Sequence, residues 1–457
     1  MRDFPFELSI DRADSSKHRA SLSCTALLRT IPGKRDVYDA VWDGRRVIVK
    51  VFSRGIGARR RLRKEWRGLT LLQERGLSAP APLFYGKTID RRWAIVQEEI
   101  MDSSTVLEVL ERGDRADDNV RLLAPVFRVL AAQHAKGVLQ KDLHPGNFLL
   151  GQGKLFALDA GRICFFQGQI GRRKSLSQLA LLARSLAETD EESISSLYGT
   201  YFEARGWTER ASDKRLLRKY AARHRRSGIR NGLKKCLRTS RRHSGIRTGA
   251  YTAVFSRSFC PGHERDEFIE QIDALMDSGQ ILKDGRTCYV SRIRLHGKEL
   301  VVKRYNHLGL VHSLRHSLKG SRARRNWLHA HRLMMLRVPT PHPLAYIERR
   351  RGGLVWTCYI VTEYVAAPHF EEFLRRGDGT EEARAAAAGP VLELLERLAG
   401  HGITHGDLKH TNILVTETGP MLTDLDGMKV HLFGRMCRRR HAKDIESFSR
   451  RGRDGGI

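Results

Sequence analysis

The sequence predicts an α+β fold made of two tandem units, each with a small β-rich N-terminal lobe and a helical C-terminal lobe. Three observations lead to this prediction. The length of 457 residues exceeds that of one ordinary domain. A lysine within a run of β-branched residues occurs twice, in VIVKVF and in LVVKRY. A loop with the pattern Asp-x4-Asn, followed by apolar residues, also occurs twice, at 142–150 and 407–415.

The two halves align without gaps inside three separate blocks. The offset between them is 253 at the lysines, 261 through a Trp–Pro block and 265 from the next strand onward. In the Trp–Pro block, Trp66 aligns with Trp327 and Tyr85 aligns with Tyr346. The length differences therefore fall only between blocks, where loops are expected. We interpret the chain as a tandem duplication, because such internal self-similarity indicates a repeated structural unit.

Both copies predict the same order of elements. Strands come first and include the lysine strand, since a β-branched apolar run is typical of a buried strand. An amphipathic helix, a proline-bounded turn and another strand come after it. A largely helical segment is next, at 119–137 in the first copy and 381–402 in the second. The Asp-x4-Asn loop then precedes two short strands that lead to a last aspartate.

The copies differ beyond that last aspartate. The first continues through further helices into a strongly basic stretch, residues 214–249, which we predict to include the linker. The second ends 33 residues after its last aspartate, so its helical lobe is predicted to be short. The predicted domains are therefore residues 1–245 and 246–457.

Composition predicts a cytoplasmic protein with a polyanionic partner. There are 82 Lys and Arg against 51 Asp and Glu, a net charge of +31, which favours nucleic acid, an anionic membrane surface or a phosphorylated glycolipid. The seven cysteines are scattered with no C-x-x-C pair, so neither a zinc site nor a disulfide framework is predicted. The sequence has no signal-peptide pattern and no apolar run of membrane-spanning length.

The repeated polar residues suit phosphoryl transfer from ATP. A strand lysine can neutralise the α- and β-phosphates, and a loop aspartate can accept the proton of an acceptor hydroxyl. An asparagine and a second aspartate, 12 residues apart in both copies, offer oxygen ligands for Mg²⁺. A single Asp-x4-Asn is weak evidence, whereas the full set repeated with the same spacings is strong.

Residues 321–346, with the segments HGDLKHTNILV and LTDLDGMKV, resemble the bacterial lipopolysaccharide core heptose kinases of the Kdo/WaaP family. The resemblance extends over most of both halves. It implies a protein-kinase-like fold that phosphorylates a sugar, in that family a heptose, of the lipopolysaccharide inner core at the cytoplasmic face of the inner membrane. Small-molecule kinases such as the aminoglycoside kinases share the loop motif, so the motif does not identify the acceptor.

The resemblance implies roles for nine residues of this chain. Asp142 and Asp407 would be the catalytic bases. The Mg²⁺ ligands would be Asn147, Asp159, Asn412 and Asp424. Lys50 and Lys303 would hold the phosphates of ATP, and Glu65 would form an ion pair with Lys50.

Each copy departs from the family pattern at one supporting position. The first copy has Gln140 where the second has His405, a residue that supports the loop. The second copy has Asn326 where the first has Glu65, so we expect Lys303 to be held less firmly there. Neither lysine is preceded by G-x-G-x-x-G, so the nucleotide-covering loop has diverged in both copies.

The sequence leaves several functions open. At least one copy is expected to be active, and we expect Asp444 to brace the second catalytic loop, where the first copy has Ser175. A catalytic copy beside a degenerate one, a protein or small-molecule kinase of the same fold, and a tandem pseudokinase scaffold without turnover are the alternatives. The retained carboxylates speak against the scaffold, because a fold without catalysis has no need of them.

Arginine clusters precede the helix in both copies, at 57–67 and 313–327. They are interpreted either as contacts to an anionic glycolipid or membrane headgroups, or as solvated surface. The expected partners are the lipopolysaccharide core or another anionic glycolipid, and an anionic membrane surface, with a peripheral location on the inner face of the inner membrane. Nucleic acid is not expected, because only 7% of residues are aromatic and no base-stacking motif is present.

Overall fold

A computed structural model describes most of the chain. The described residues are 3–13, 18–112, 116–184, 186, 191–260, 262–306, 309, 320–376, 380–431 and 434–454. They divide into two compact units, Met1–Arg226 and Ser227–Ile457. The residues 313–319 of the second arginine cluster lie outside the described part of the chain.

The first unit begins with a closed β-barrel that contains the lysine strand. Its strands and one helix are β1 (Phe6–Arg12), β2 (Arg19–Ile31), β3 (Arg35–Trp42), β4 (Arg45–Phe52), α1 (Ala58–Glu74), β5 (Pro82–Thr88) and β6 (Trp93–Glu98). The strand order is β1-β2-β3-β4-β6-β5, and β5 pairs with β1 to close the barrel. Apolar side chains such as Leu22, Val49 and Phe84 fill its interior and are fully buried.

The second part of the first unit is mainly helical. Its elements are β7 (Ser104–Thr105), α2 (Val106–Arg112), α3 (Ala116–Ala135), β8 (Val138–Gln140), β9 (Phe148–Gly151), β10 (Lys154–Ala157), β11 (Ile163–Phe165), α4 (Arg172–Ala183), α5 (Glu191–Ala204) and α6 (Ala211–Lys235). Buried side chains of α3, α4 and α5, including Leu130, Leu179 and Tyr201, form its core. The last part of α6, residues 227–235, belongs to the second unit. Most of the basic stretch predicted to include the linker is thus helical, and it lies in α6.

The second unit begins with a seven-stranded sheet. Its elements are β12 (His243–Arg247), β13 (Tyr251–Ser256), α7 (Arg265–Asp277), β14 (Gln280–Gly285), β15 (Cys288–Leu295), β16 (Lys298–Tyr305), α8 (Arg322–Met335), β17 (Pro343–Arg351) and β18 (Leu354–Glu363). The strand order is β12-β13-β17-β18-β16-β15-β14. Helix α7 precedes the lysine strand and was not predicted; it buries Phe268 and Ile272 against the sheet.

The rest of the second unit is short and helical. Its elements are α9 (Phe370–Arg376), α10 (Glu381–Gly400), β19 (Ile403–Thr404), β20 (Ile413–Thr416), β21 (Gly419–Leu422), β22 (Lys429–Val430) and α11 (Gly434–Asp454). Leu394 and Leu398 of α10 pack with Phe448 of α11 in the core. The mixture of strands and helices confirms the predicted α+β class. Among the described residues, no helix combines the length and the apolar character that crossing a membrane requires.

Candidate active site

In the first unit, the sequence places Lys50 in the middle of a buried strand. The apolar run of β4 is paired on both sides, so that Lys50 lies between Val37 of β3 and Ile95 of β6. The lysine is 7% exposed. Its Nζ lies 2.6 Å from Oε1 of Glu65, which is itself 3% exposed on helix α1. A buried ammonium requires such a partner, because an unpaired buried charge is costly. The structure therefore brings together the two residues expected to pair.

The second carboxylate oxygen of Glu65 binds the loop after Asp159. The backbone N–H of Gly161 donates to Oε2 of Glu65 over 3.1 Å. A Cβ at position 161 would lie 2.7 Å from that same oxygen, so a side chain there would force the Glu65 carboxylate to shift. A Cβ at Gly68, one turn further along α1, would collide with the carbonyl oxygen of Ala160. Helix α1 thus approaches this loop closely because two glycines permit it.

Asp159, predicted as a metal ligand, is engaged by an arginine in this structure. Its φ of 52° lies in the left-handed region, where aspartate is tolerated better than most side chains. Arg35 of β3 donates to Oδ1 of Asp159 and lies 3.7 Å from Glu65. Burial acts to raise the pKa of Asp159, but Arg35 and Lys50 outweigh it and hold the pKa below its ordinary value. The carboxylate is therefore in its anionic, ligand-competent form.

The first Asp-x4-Asn loop holds its aspartate at the surface. The side chain of Asp142 is 50% exposed and lies 3.2 Å from Arg162. The amide nitrogen of Asn147 donates to the backbone carbonyl of Asp142, which leaves the amide oxygen as the atom that could bind a metal. Behind the loop, Gln140 is buried and donates to Gln133 over 3.0 Å. Gln140 aligns with His405 of the second unit. Both side chains are buried, and Gln140 uses this position to form a hydrogen bond.

In the second unit, Lys303 is held by two carboxylates. It lies between Val290 of β15 and Ile360 of β18 in the same register that Lys50 has in its strand. Its Nζ lies 2.6 Å from Asp424 and 3.0 Å from Asp426. Burial acts to lower the pKa of Lys303, but the two carboxylates outweigh it and raise the pKa. The expectation that Lys303 is held less firmly because Asn326 replaces a glutamate was therefore wrong.

Asp426, which was not singled out in the sequence, lies at the centre of this arrangement. Its Oδ1 accepts from the Tyr305 hydroxyl over 2.6 Å and from Asn326 over 3.1 Å. Its Oδ2 accepts from Arg322 over 2.8 Å as well as from Lys303. Burial acts to raise its pKa, but Lys303, the Tyr305 hydroxyl and Arg322 outweigh it and lower the pKa to about 2. Asp426 aligns with Gly161, and Asn326 aligns with Glu65. The second unit thus lacks a carboxylate at one of these positions and has one at the other, and this difference could have pointed to Asp426 from the sequence.

The second catalytic loop is braced as expected. The carboxylate of Asp444 accepts from the backbone N–H of His405 over 2.8 Å and from that of Gly406 over 2.9 Å. The His405 ring contacts the carbonyl of Thr423 at 3.0 Å, which ties the loop to the residue before Asp424. In the first unit, Ser175 on α4 instead donates to the carbonyl of Ile170 over 3.3 Å, outside the Asp142 loop. The two loops are thus supported by different side chains.

Asp407 and Asn412 repeat the geometry of the first loop. Asp407 is 52% exposed and lies 3.3 Å from Lys409. The amide nitrogen of Asn412 donates to the carbonyl of Asp407 over 2.9 Å, and the carbonyl of Asn412 accepts from Thr423 over 2.9 Å. Asp424 has a φ of 49° and supplies an anionic oxygen from the next position. An amide oxygen and a carboxylate held this way fit Mg²⁺, which prefers hard oxygen ligands.

Comparison with known families gives a match in the second half of the chain. Residues 267–453 match the model of the lipopolysaccharide kinase (Kdo/WaaP) family. A stretch of 75 residues is 39% identical to the serine/threonine-protein kinase AfsK of Streptomyces coelicolor, and 76 residues are 38% identical to AfsK of Streptomyces griseus. Each stretch covers 16% of this chain and 9% of the relative, so the chain spans a small part of these relatives.

Three solved structures align with part of the chain. WaaP in complex with acyl carrier protein is 24% identical, with a TM-score of 0.33, over 45% of this chain and 87% of that one. The aminoglycoside-3'-phosphotransferase of type VIII is 17% identical, with a TM-score of 0.32, over 44% of this chain and 93% of that one. The kinase domain of PknI from Mycobacterium tuberculosis is 18% identical, with a TM-score of 0.27, over 36% and 72%.

Proposed function

We propose that the chain transfers the γ-phosphate of ATP to a sugar hydroxyl of the lipopolysaccharide inner core, because residues 267–453 match the model of the lipopolysaccharide kinase (Kdo/WaaP) family. We further propose that the sugar is a heptose and that transfer takes place at the cytoplasmic face of the inner membrane. One observation carries the proposal: in the second unit a connected set of contacts joins Lys303 to Asp424, the adjacent Thr423 to Asn412, and Asn412 to Asp407.

Each member of that set has a role in the transfer. The half-exposed carboxylate of Asp407 accepts the proton of the acceptor hydroxyl and orients it. Lys303 holds the phosphates of ATP, and Asp426 keeps its ammonium in position. Asn412 and Asp424 hold Mg²⁺, which neutralises phosphate charge when bound. Tyr305, Arg322 and Asn326 fix Asp426 and act through it.

We propose that the first unit is a second kinase-like domain that arose by duplication, with domains at 1–245 and 246–457. Both units place the lysine strand, a helix, two strands, a short helix and a long helix with one internal proline in the same order. Asp159 and Asp424 share the left-handed conformation, and Asn147 and Asn412 donate to corresponding carbonyls. These parallels support assigning five residues of the first unit the roles of their counterparts in the second: Lys50, Glu65, Asp142, Asn147 and Asp159.

A supporting role without turnover is the second candidate for the first unit. Arg35 occupies an oxygen of Asp159, the atom that Mg²⁺ would bind, so metal binding there requires the guanidinium to move. In the second unit the corresponding carboxylate is that of Asp424, which contacts Lys303. The phosphates of ATP also attract the charge of Lys303, so nucleotide binding would favour release of Asp424 to Mg²⁺. We therefore propose that the second unit performs the transfer.

Labelled phosphate transfer tests the proposal. ATP–Mg²⁺ and the full chain are incubated with lipopolysaccharide extracted from a strain that lacks this gene. We expect Asp407→Asn to lower transfer by at least about 100-fold, because a positioned base contributes that much, and Asp142→Asn to leave most of it. Asp43→Asn and Asp284→Asn are matched controls, because both aspartates are exposed and belong to neither loop.

The outcomes separate the candidate functions. Loss of transfer in Asp142→Asn, with Asp407→Asn active, would assign the chemistry to the first unit. Wild-type transfer no higher than that of the variant carrying both Asp142→Asn and Asp407→Asn, with unchanged circular dichroism, would contradict a lipopolysaccharide acceptor. Phosphate incorporation into added proteins would then support a protein kinase, the activity in the name of the AfsK relatives. Binding of ATP without any transfer would support a scaffold.

A further inference from the structure

Three metal-ligating side chains meet in the interior of the second unit, outside the candidate active site. Cys236 follows the C-terminal end of α6, His243 lies on β12 and His331 lies on α8. One ligand atom of each lies within 4.8 Å of those of the other two, and the residues are 3%, 6% and 7% exposed, respectively. We propose that Cys236, His243 and His331, completed by His342, bind a zinc ion.

An unpartnered nitrogen in this cluster is the second observation that points to a ligand. Nε2 of His331 is buried and has no hydrogen-bond partner among the described residues, and the residue as a whole is only 7% exposed. Leaving a buried polar atom unpaired costs about 1–3 kcal/mol, so such atoms call for a specific explanation. A metal ion that accepts the lone pair of Nε2 supplies one.

The surroundings hold the three side chains in place. The His331 ring packs edge-on against Trp327 at 4.2 Å and against His243 at 4.9 Å between ring centroids. Nε1 of Trp327 donates to the carbonyl of Cys236 over 2.9 Å. Ser240 lies 3.4 Å from Nδ1 of His243, which leaves the other ring nitrogen for a metal. Ligand atoms on tetrahedral zinc lie roughly 3.5 Å apart, so small side-chain rotations bring these atoms to that spacing.

The chemistry of the donors selects zinc. One thiolate and imidazole nitrogens are the ligands of structural zinc sites, whereas Mg²⁺ and Ca²⁺ prefer oxygen. Binding replaces the Cys236 S–H bond with an S–Zn bond and releases the proton to solvent. Because these residues come from two distant parts of the sequence and include no C-x-x-C pair, the cysteine pattern predicted no zinc site.

His342 is the candidate for the fourth ligand. It lies just before β17, outside the group whose ligand atoms are within 4.8 Å of one another, so its ring must rotate to complete the site. Its Nδ1 is buried without a hydrogen-bond partner among the described residues. Four protein ligands would make a closed, structural site rather than a catalytic one. Zinc there would fix helix α8, which carries Asn326 and Arg322 to Asp426.

Metal content and cobalt spectroscopy on the full chain test the site. We expect about one zinc ion per chain by elemental analysis of protein purified without chelator or affinity metal. Replacement by Co²⁺ should give a thiolate-to-cobalt charge-transfer band. Cys236→Ser should abolish that band and lower zinc affinity by at least about tenfold. Cys260→Ser is the matched control, because Cys260 is equally buried and lies outside the cluster.

Two further variants keep the test decisive if Cys236→Ser folds poorly. His331→Gln and His342→Gln should each lower zinc affinity by at least about tenfold, and zinc should raise the thermal midpoint of wild type more than that of either variant. His263→Gln, at an exposed histidine of the same unit, should behave as wild type. Folded wild type that takes up neither zinc nor cobalt, or a charge-transfer band that survives Cys236→Ser, would overturn the proposal. Unchanged affinity in His342→Gln would overturn the fourth ligand alone.

Discussion

The carboxylate that holds the strand lysine comes from a different element in each unit. In the first unit Glu65 on α1 contacts Lys50, and the aligned loop position is Gly161. In the second unit the helix supplies Asn326, and the loop supplies the carboxylate as Asp426. The negative charge lies on the helix in the first unit and on the loop in the second, and the ammonium is buried and paired in both. Such an exchange preserves the charge balance that a buried lysine requires.

Giving positions 426 and 326 the residue types found in the first unit tests whether the two positions act as one pair. Asp426→Gly should destabilise the second unit by about 3 kcal/mol, since it leaves Lys303, Arg322 and Asn326 without their shared acceptor. Adding Asn326→Glu should restore about half of that loss or more, because it recreates the first unit's arrangement. Hydrogen exchange of peptides from the second unit measures both effects. A double variant no more stable than Asp426→Gly would show that the two positions are independent.

At the scale of elements, helix α1 packs closely on the loop after Asp159. This close packing depends on Gly68, a helix position without a side chain. Gly68 faces the carbonyl of Ala160, whereas Gly199 on α5 has open space around it. Alanine favours a helix over glycine by roughly 0.5–1 kcal/mol. A single type of substitution therefore has opposite expected effects at the two positions.

We expect Gly199→Ala to stabilise the first unit by about 0.5 kcal/mol or more, and Gly68→Ala to destabilise it by about 1–3 kcal/mol through overpacking. Thermal unfolding followed by peptides of the first unit measures both. In phosphate transfer, any activity of the first unit should fall in Gly68→Ala, since Glu65 lies on the displaced helix. Equal stabilisation by the two substitutions would mean that α1 is not packed closely on this loop.

The sequence predicted the elements that local patterns define, but it missed several contacts between residues far apart in the chain. The lysine strands, the helices after them and the Asp-x4-Asn loops were predicted, because periodicity and spacing are local signals. Helix α7 was missed, although Phe268, Ile269 and Ile272 have helical spacing. Asp426 contacts Lys303 across 123 positions, and Arg35 contacts Asp159 across 124. No local pattern predicts such pairs.

At the scale of the whole molecule, the net charge of +31 is not spread evenly. Arg60, Arg63, Lys64 and Arg67 are exposed along one side of α1, beside the fully exposed side chain of Ile56. Basic residues around an exposed apolar side chain suit a surface of anionic lipid, where the charges approach headgroups and the apolar side chain enters the interface. Such a surface would bring the enzyme to a membrane-bound acceptor.

Vesicle binding tests whether the basic surface of α1 binds anionic lipid specifically or whether the net charge of the protein accounts for binding. Full-length protein should sediment with phosphatidylglycerol vesicles and not with phosphatidylcholine vesicles, and binding should weaken as salt rises. Replacing Arg60, Arg63 and Arg67 by alanine should lower affinity by at least about tenfold, since each basic residue near the surface contributes about 1 kcal/mol. Replacing Arg45, Arg121 and Lys154, three exposed basic residues elsewhere in the same unit, removes the same charge. If both triple variants lose equal affinity, attraction by the overall field accounts for binding, and the α1 surface has no special part in it.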